Sequence, residues 1–257
     1  MEQTKYFKDC VVIAQARVIE GKRTPPHICT IVWDLIDNNF IRITFPFSLK
    51  QKPLKRWKRF SFFGDKENII AGDTREETWG INNSILFTSN SKLNKAEQNE
   101  VHRKILTAYA DYNSEEKLNN DKKSIGILIP KKSSLKIDKE ICEKQMQKKK
   151  DMGKIYYSEY QYKITGKKYE KNIWFKNKEE KDFEKTLIAR DIVEAERLKR
   201  DSDLNNIIHS YKNPYIVIGN KVYQRNTFLA VGILSAPEKF IEDYGLKTDY
   251  QPTLPLV

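Results

Sequence analysis

The sequence predicts an α+β chain in which two β-rich halves are joined by one helix and flanked by others. Three observations predict it. Apolar and polar residues alternate through several short runs between residues 8 and 88, and again through 154–175, the period of strands with two different faces. The stretch "NKAEQNEVHRKILTAYADYN" (94–113) switches to helical spacing, with Val101, Ile105, Leu106 and Tyr109 on one stripe. "EEKDFEKTLIARDIVEAERLKRDSDLNNIIHSY" (179–211) repeats helical spacing through Phe183, Leu187, Ile188, Val193 and Leu198.

In chain order, "CVVIAQARV" (10–18) is a strand, followed by the polar turn region "IEGKRTPPH". "HICTIVWDLI" (27–36) is β-branched and aromatic, "DNN" supplies a turn, and "FIRITFPF" (40–47) alternates, the mark of a hairpin. In that strand Phe40, Arg42 and Thr44 share one face, and Arg42 points away from the row Ile41, Ile43, Phe45. "WKRFSFFGD" (57–65) and "WGINNSILFTS" (79–89) add two more strands around the "GDTREE" loop. Five short strands in about eighty residues fit a small barrel such as an OB-fold. Further on, "KSIGILIPKKSSLKI" (123–137) reads as one strand and a turn, and "DKEICEKQMQKKKDMG" (138–153) as a basic helix capped by Gly153. "KIYYSEYQYKITGKKYEKNIWF" (154–175) alternates, with Tyr157, Tyr160 and Tyr162 close together, and residues 214–236 close the chain as a hairpin around Gly219-Asn220. The expected architecture is two small OB-like antiparallel β-barrels with connecting and flanking helices. Its divisions are 1–92 for the N-terminal barrel, 93–122 for the connecting helix, 123–236 for a C-terminal β-rich domain with inserted helices, and 237–257 for a tail.

The chain has 257 residues, enough for a sizeable core, and its 39% hydrophobic content is offset by 29 aromatic residues, which argues against disorder. Its net charge of +12 favours partners that carry phosphate, nucleic acid first. Three isolated cysteines and three histidines oppose both a disulfide framework and an all-protein zinc site. The N-terminus lacks the apolar core of a signal peptide, and no run reaches the roughly 20 apolar residues of a membrane helix. The expectation is a soluble cytoplasmic protein with no membrane partner and no cofactor.

The segment "KQKPLKRWKRF" (50–60) places six cations, Lys50, Lys52, Lys55, Arg56, Lys58 and Arg59, around Trp57. Lysine and arginine there would displace counterions from a phosphate backbone, and an exposed Trp57 would stack on a base. Alternatively Trp57 belongs to the core and the lysines solvate a strand edge, which also blocks aggregation. Lys22 and Arg23 lie between the first two strands, where the first loop of an OB barrel would grip a strand. The predicted nucleic-acid site is Lys22, Arg23, Arg42, Lys52, Lys55, Arg56, Trp57, Lys58 and Arg59. "DTREETW" (73–79) groups Asp73, Glu76 and Glu77, but no second carboxylate cluster stands at the spacing expected of a metal-dependent nuclease. Asp73 and Arg75 read as a structural ion pair.

Three patches, "HICTIVWDLIDNNFIRITFPFS" (27–48), "DTREETW" (73–79) and "YIVIGNKVYQRNTFLAVGIL" (215–234), resemble a family of mostly uncharacterised prokaryotic proteins related to dual OB-containing domains. Cys29-Thr30, the "FIRITFPF" strand, Asp73, Arg75, Glu76, Gly219, Asn220, Thr227, Phe228 and Gly232 carry the likeness. The family's paired cysteines with the following Gly-His, and its Asp-Trp-Glu, have no counterpart in 154–185 of this chain. The resemblance implies nucleic-acid binding in a mobile-element or antiviral defence setting, with a larger effector protein or complex as a second kind of partner. The resulting expectation is a non-catalytic DNA- or RNA-binding protein that grips the backbone with little sequence preference. Two alternatives stay open, a metal-dependent nuclease using Asp73 and Glu76 and a protein-interaction subunit of a larger complex.

Overall fold

The computed structural model describes residues 4–18, 26–46, 54–66, 73, 75–86, 92–109, 112, 114–141, 160–169, 180–190, 192 and 204–237, together with Glu143, Gln147, Lys150 and Asp151. The first five strands are β1 (Thr4–Gln15), β2 (His27–Asp34), β3 (Asn39–Pro46), β4 (Arg59–Asp65) and β5 (Thr78–Leu86). They close into a barrel in the order β1-β2-β3-β5-β4. The β3–β5 pair is parallel, and the other pairs are antiparallel. This is a five-stranded Greek-key barrel of OB type, as the alternating pattern predicts.

One long strand makes closure possible. β1 pairs with β4 through Thr4–Val11 and with β2 through Cys10–Gln15, and irregularities at Phe7/Cys10 and Val12/Ala14 bend it around the barrel. Phe7, Cys10, Val12, Ile28, Val32, Ile41, Ile43, Phe60, Phe62 and Ile81 fill the interior. The residues of opposite parity do not face water. Val11, Ile13, Cys29, Ile31, Trp33 and Phe40 join a second core with the apolar stripe of α1 (Lys95–Tyr109) and with Ile125, Ile127, Tyr215, Val217 and Val231. That is why β2, "HICTIVWD", is buried along its whole length, its polar His27, Thr30 and Asp34 included.

After α2 (Glu115–Asn120) the chain builds a six-stranded sheet from β6 (Ile125–Leu128), β7 (Lys136–Ile141), β8 (Tyr160–Tyr169), β9 (Glu180–Leu187), β10 (Pro214–Asn220) and β11 (Phe228–Ser235). Its order is β6-β10-β11-β9-β8-β7. The β9–β11 pair is parallel and the rest are antiparallel, so the succession of pairings repeats that of the barrel. The sheet differs from the expected second closed barrel in that β6 and β7 are its two edges. Pro130, which has no amide proton for a ladder, sits at the break between them. It still makes a bridge to Lys168, and the Lys131 amide donates to the Lys167 carbonyl at 2.8 Å.

Three local expectations are overturned. Residues 180–187, expected as helix, form β9, because Phe183 and Leu187 share a face of a strand as readily as of a helix, and β8 pairs with β9 residue for residue from Tyr162↔Leu187 to Tyr169↔Glu180. Arg190 and Ile192 are helical, as expected, and helix α3 runs from Leu204 to Ser210, burying Leu204 and Ile208. Residues 138–141, expected to open a basic helix, belong to β7, while Glu143, Gln147, Lys150 and Asp151 are helical as expected and Gly153 lies outside the described residues. The hairpin turns after Asn220 and before Phe228, since Gly219 and Asn220 complete β10.

α1 seats His102 in the shared core, where Nδ1 and the Tyr215 hydroxyl share a hydrogen bond at 2.8 Å and Trp57 meets the ring edge-on at 4.8 Å. Burial first, then the charges of Lys95 and Arg56, lower the His102 pKa from 6.5 to about 3. The folded protein therefore holds this ring neutral where the unfolded chain protonates it. Stability is fully present above about pH 6.5 and falls on acidification, with a slope approaching 1.4 kcal/mol per pH unit from this group. Urea unfolding between pH 7 and 5, before most carboxylates titrate, should show that slope, and His102→Gln should flatten it.

Candidate nucleic-acid interface

The basic segment enters β4 through a tight turn whose side chains take separate paths. Lys55 is exposed, and Arg56 is half-buried with Nη1 donating to the Ile233 carbonyl at 3.0 Å. Lys58 is half-buried, and Arg59 forms an ion pair with Asp9. The hydrogen bonds from Arg59 to Asp9 raise the Arg59 pKa further. Lys22, Arg23, Lys50 and Lys52 lie outside the described residues.

Two predicted contacts are corrected. Trp57 is 9% exposed and belongs to the shared core, so its ring is covered and does not offer a stacking face. Arg42 does turn away from the barrel interior, but the surface it faces is the second sheet, which leaves it 3% exposed. Its Nη2 donates to the Ser124 carbonyl at 2.8 Å and to the Ser124 hydroxyl at 3.2 Å, while Nη1 donates to Cys29 Sγ at 3.6 Å. Burial, then the neighbouring Arg75 charge, pull its pKa below the ordinary arginine value, with Cys29 and Glu77 opposing.

Beside it, Asp73 and Arg75 form the ion pair read from the sequence, both fully covered. Arg75 Nη1 also donates to the Asn220 carbonyl at 2.7 Å, which fastens the loop before β5 to the end of β10. Burial alone would raise the Asp73 pKa, but the Arg75 hydrogen bonds and charge outweigh it and hold the carboxyl below its usual range. Glu77 accepts from the Ser124 amide at 2.7 Å, and Glu76 is exposed. Asp73 and Glu77 thus point to different partners, and among the described residues no three His, Cys, Asp or Glu side chains converge where a metal ion could sit.

The basic segment gains its neighbours from residues more than thirty positions further on. Lys58 and Lys92 face each other in an isolated antiparallel bridge, extended by the Leu93 amide donating to the Trp57 carbonyl at 3.0 Å. Directly opposed residues in such a bridge project to one side about 5 Å apart. Lys95, in the first turn of α1, is exposed and acts on the same histidine as Arg56. The helix start is held by a reciprocal cap: the Glu97 amide donates to Asn94 Oδ1 at 3.0 Å, and the Asn94 amide to Glu97 Oε2 at 2.7 Å. Nothing in the local sequence marks Lys92 and Lys95 as partners of the basic segment, although the "NKAE" cap locates the helix start beside them.

The second sheet offers a contrast. On the outer side of β7–β9, Lys163 pairs with Glu140 at 3.0 Å and Glu184 at 3.5 Å, and Glu180 receives Lys131 at 2.8 Å and Lys167 at 3.6 Å. This face is charge-balanced. Of the tyrosines on β8, Tyr162 is buried and Tyr160 is half-buried beneath the Lys139 ammonium at 3.6 Å, while Tyr157 lies outside the described residues. No described helix is long and apolar enough to cross a membrane.

No protein-family model matches the chain, and no curated protein matches it. Among solved structures it is similar to the Ifi202 HINa domain in complex with 20-bp double-stranded DNA, at 8% identity and a TM-score of 0.33 over 72% of this chain and 77% of that one. It is also similar to a chain of a replication protein A heterotrimer bound to single-stranded DNA, at 9% identity and a TM-score of 0.30 over 97% of this chain and 55% of that one. At such identity and TM-score, neither likeness says what this chain binds.

Proposed function

We propose that the protein binds nucleic acid through the sugar-phosphate backbone, with little sequence preference and no chemistry of its own. The observation that carries this reading is the Lys58–Lys92 bridge. Directly opposed lysines project to one side of the bridge, where a single phosphate can accept charge-assisted hydrogen bonds from both. Lys55 and Lys95 flank the pair, and Lys22, Arg23 and Lys52 complete the surface in this reading. Arg56 and Arg59 serve it indirectly, by fixing the turn to Ile233 and Asp9. We read both halves as OB-type units, the second interrupted at Pro130, with the domain divisions expected from the sequence. The mobile-element or defence setting, and any larger effector complex, rest on the motif resemblance.

Fluorescence anisotropy with labelled oligonucleotides across a NaCl series tests the reading. The wild type should show a steep linear fall of log affinity against log salt. Lys55/Lys58/Lys92/Lys95→Ala should bind at least tenfold more weakly near 0.15 M salt, and its slope should drop by about one for each phosphate no longer neutralised. A flat wild-type response, or an unchanged variant, would refute it.

A further inference from the structure

We propose that the outer face of the β1–β4 pair carries a stacking platform, Tyr6 and Phe63, for the unpaired bases of a single-stranded nucleic acid. This inference deepens the backbone-binding reading above and rests on it. Tyr6 and Phe63 stand directly opposite one another in the antiparallel register of β1 and β4. Their ring centroids lie 4.7 Å apart with the planes tilted by 36°. The two residues are 44% and 43% exposed, whereas the Phe7–Phe62 and Trp33–Phe40 pairs are buried.

Alternation explains how the rings come to face outward. Thr4, Tyr6 and Lys8 share one side of β1, and Arg59 and Phe63 share one side of β4, while Phe7, Phe60 and Phe62 fill the barrel from the other side. Cross-strand pairing accounts for the contact between the two rings, but it leaves both of them open to water. In an OB barrel the usual oligonucleotide surface is the outer face of the second and third strands. Here that face is covered, because Cys29, Ile31, Trp33 and Phe40 pack into the core shared with α1 and the second sheet.

Charge and size select the occupant. The same rows hold Lys8, the Arg59–Asp9 ion pair and Asp65, a nearly balanced set, so this face takes rings rather than phosphates. The phosphates fall to Lys55 and Lys58, in the basic turn that runs directly into β4. Arg59 and Phe63, four residues apart on that strand, lie about 13 Å from each other, so one strand of nucleic acid can reach from turn to platform. Two rings bordered by polar side chains are too small a patch for a stable protein interface, which takes about 20–30 residues a side. They match one or two bases, which stack on aromatic rings whatever the sequence. In a duplex the bases are stacked on each other and out of reach, so the occupant is a single strand.

Fluorescence anisotropy of the full chain with a labelled oligothymidylate and with an abasic strand of the same length tests the proposal. The two strands carry the same phosphates and differ only in their bases. The wild type should bind the oligothymidylate about tenfold or more tightly than the abasic strand. Tyr6→Leu/Phe63→Leu keeps apolar bulk on both strands of the sheet and removes the flat rings. It should bring oligothymidylate binding down to the abasic level and leave the abasic affinity unchanged. Tyr6→Phe/Phe63→Tyr, which exchanges the rings, should keep the preference. The proposal is overturned, with the backbone reading intact, if the wild type binds both strands alike or if the folded leucine variant keeps the preference. Binding to neither strand overturns both readings.

Discussion

Trp57→Ala is expected to destabilise the fold by about 3–5 kcal/mol, the cost of truncating a large buried aromatic side chain. The ring closes the junction of barrel, helix and second sheet, edge-on to His102 at 4.8 Å. Its backbone is held as firmly: the amide donates to the Val12 carbonyl at 2.9 Å and the carbonyl accepts from Leu93 at 3.0 Å. The residue holds φ at 67°, the left-handed region that a bulky side chain rarely adopts. That conformation costs on the order of 1–2 kcal/mol and persists because the surrounding packing outweighs it. Trp57→Gly removes the backbone cost but not the packing loss, so it should destabilise no more than the alanine variant despite its freer unfolded chain. Urea unfolding of both variants decides the matter. An unchanged unfolding midpoint, accompanied by weaker oligonucleotide binding, would return Trp57 to the role of a stacking platform.

Asp73→Ala is expected to cost a similar amount, about 3–5 kcal/mol, for a different reason. It strands the Arg75 guanidinium in a covered site without its counter-charge. Arg75→Met in the same chain should recover part of the loss, because the double variant no longer buries an unpaired cation. The pH dependence of the pair has a definite sign. Its folded carboxyl titrates below the unfolded value of 3.8, so its contribution is fully present above that pH and disappears as pH falls through the lower, folded value. A near-neutral Asp73→Ala variant in thermal unfolding would show that the loop before β5 does not tie the two halves together.

The barrel strands and α1 could be read from the residues because their signals are local. Ile41 and Ile43 alternate with Phe40 and Arg42, and Val101, Ile105 and Tyr109 recur at helical spacing. The buried Asp73–Arg75 pair was legible for the same reason, two residues apart in one loop. β9 was not. Phe183 and Leu187 satisfy both periods, and the choice between them was made by β8, pairing across a segment that local propensity does not see. Pro130 was in plain view, yet its effect depended on which strands it would have had to join.

By itself the sequence determined the five-strand barrel, the helix after it, the basic balance and the acidic loop's ion pair, all of which follow from short-range alternation, composition and neighbouring charges. Only the tertiary structure decided that Trp57 is covered, that Arg42 packs against the second sheet, that Lys92 faces Lys58, and that a cavity opens beside Thr44. Periodicity reports which side of a strand a residue occupies. What that side meets, water or another sheet, depends on segments far away in the chain, and β2–β3 meets the second sheet.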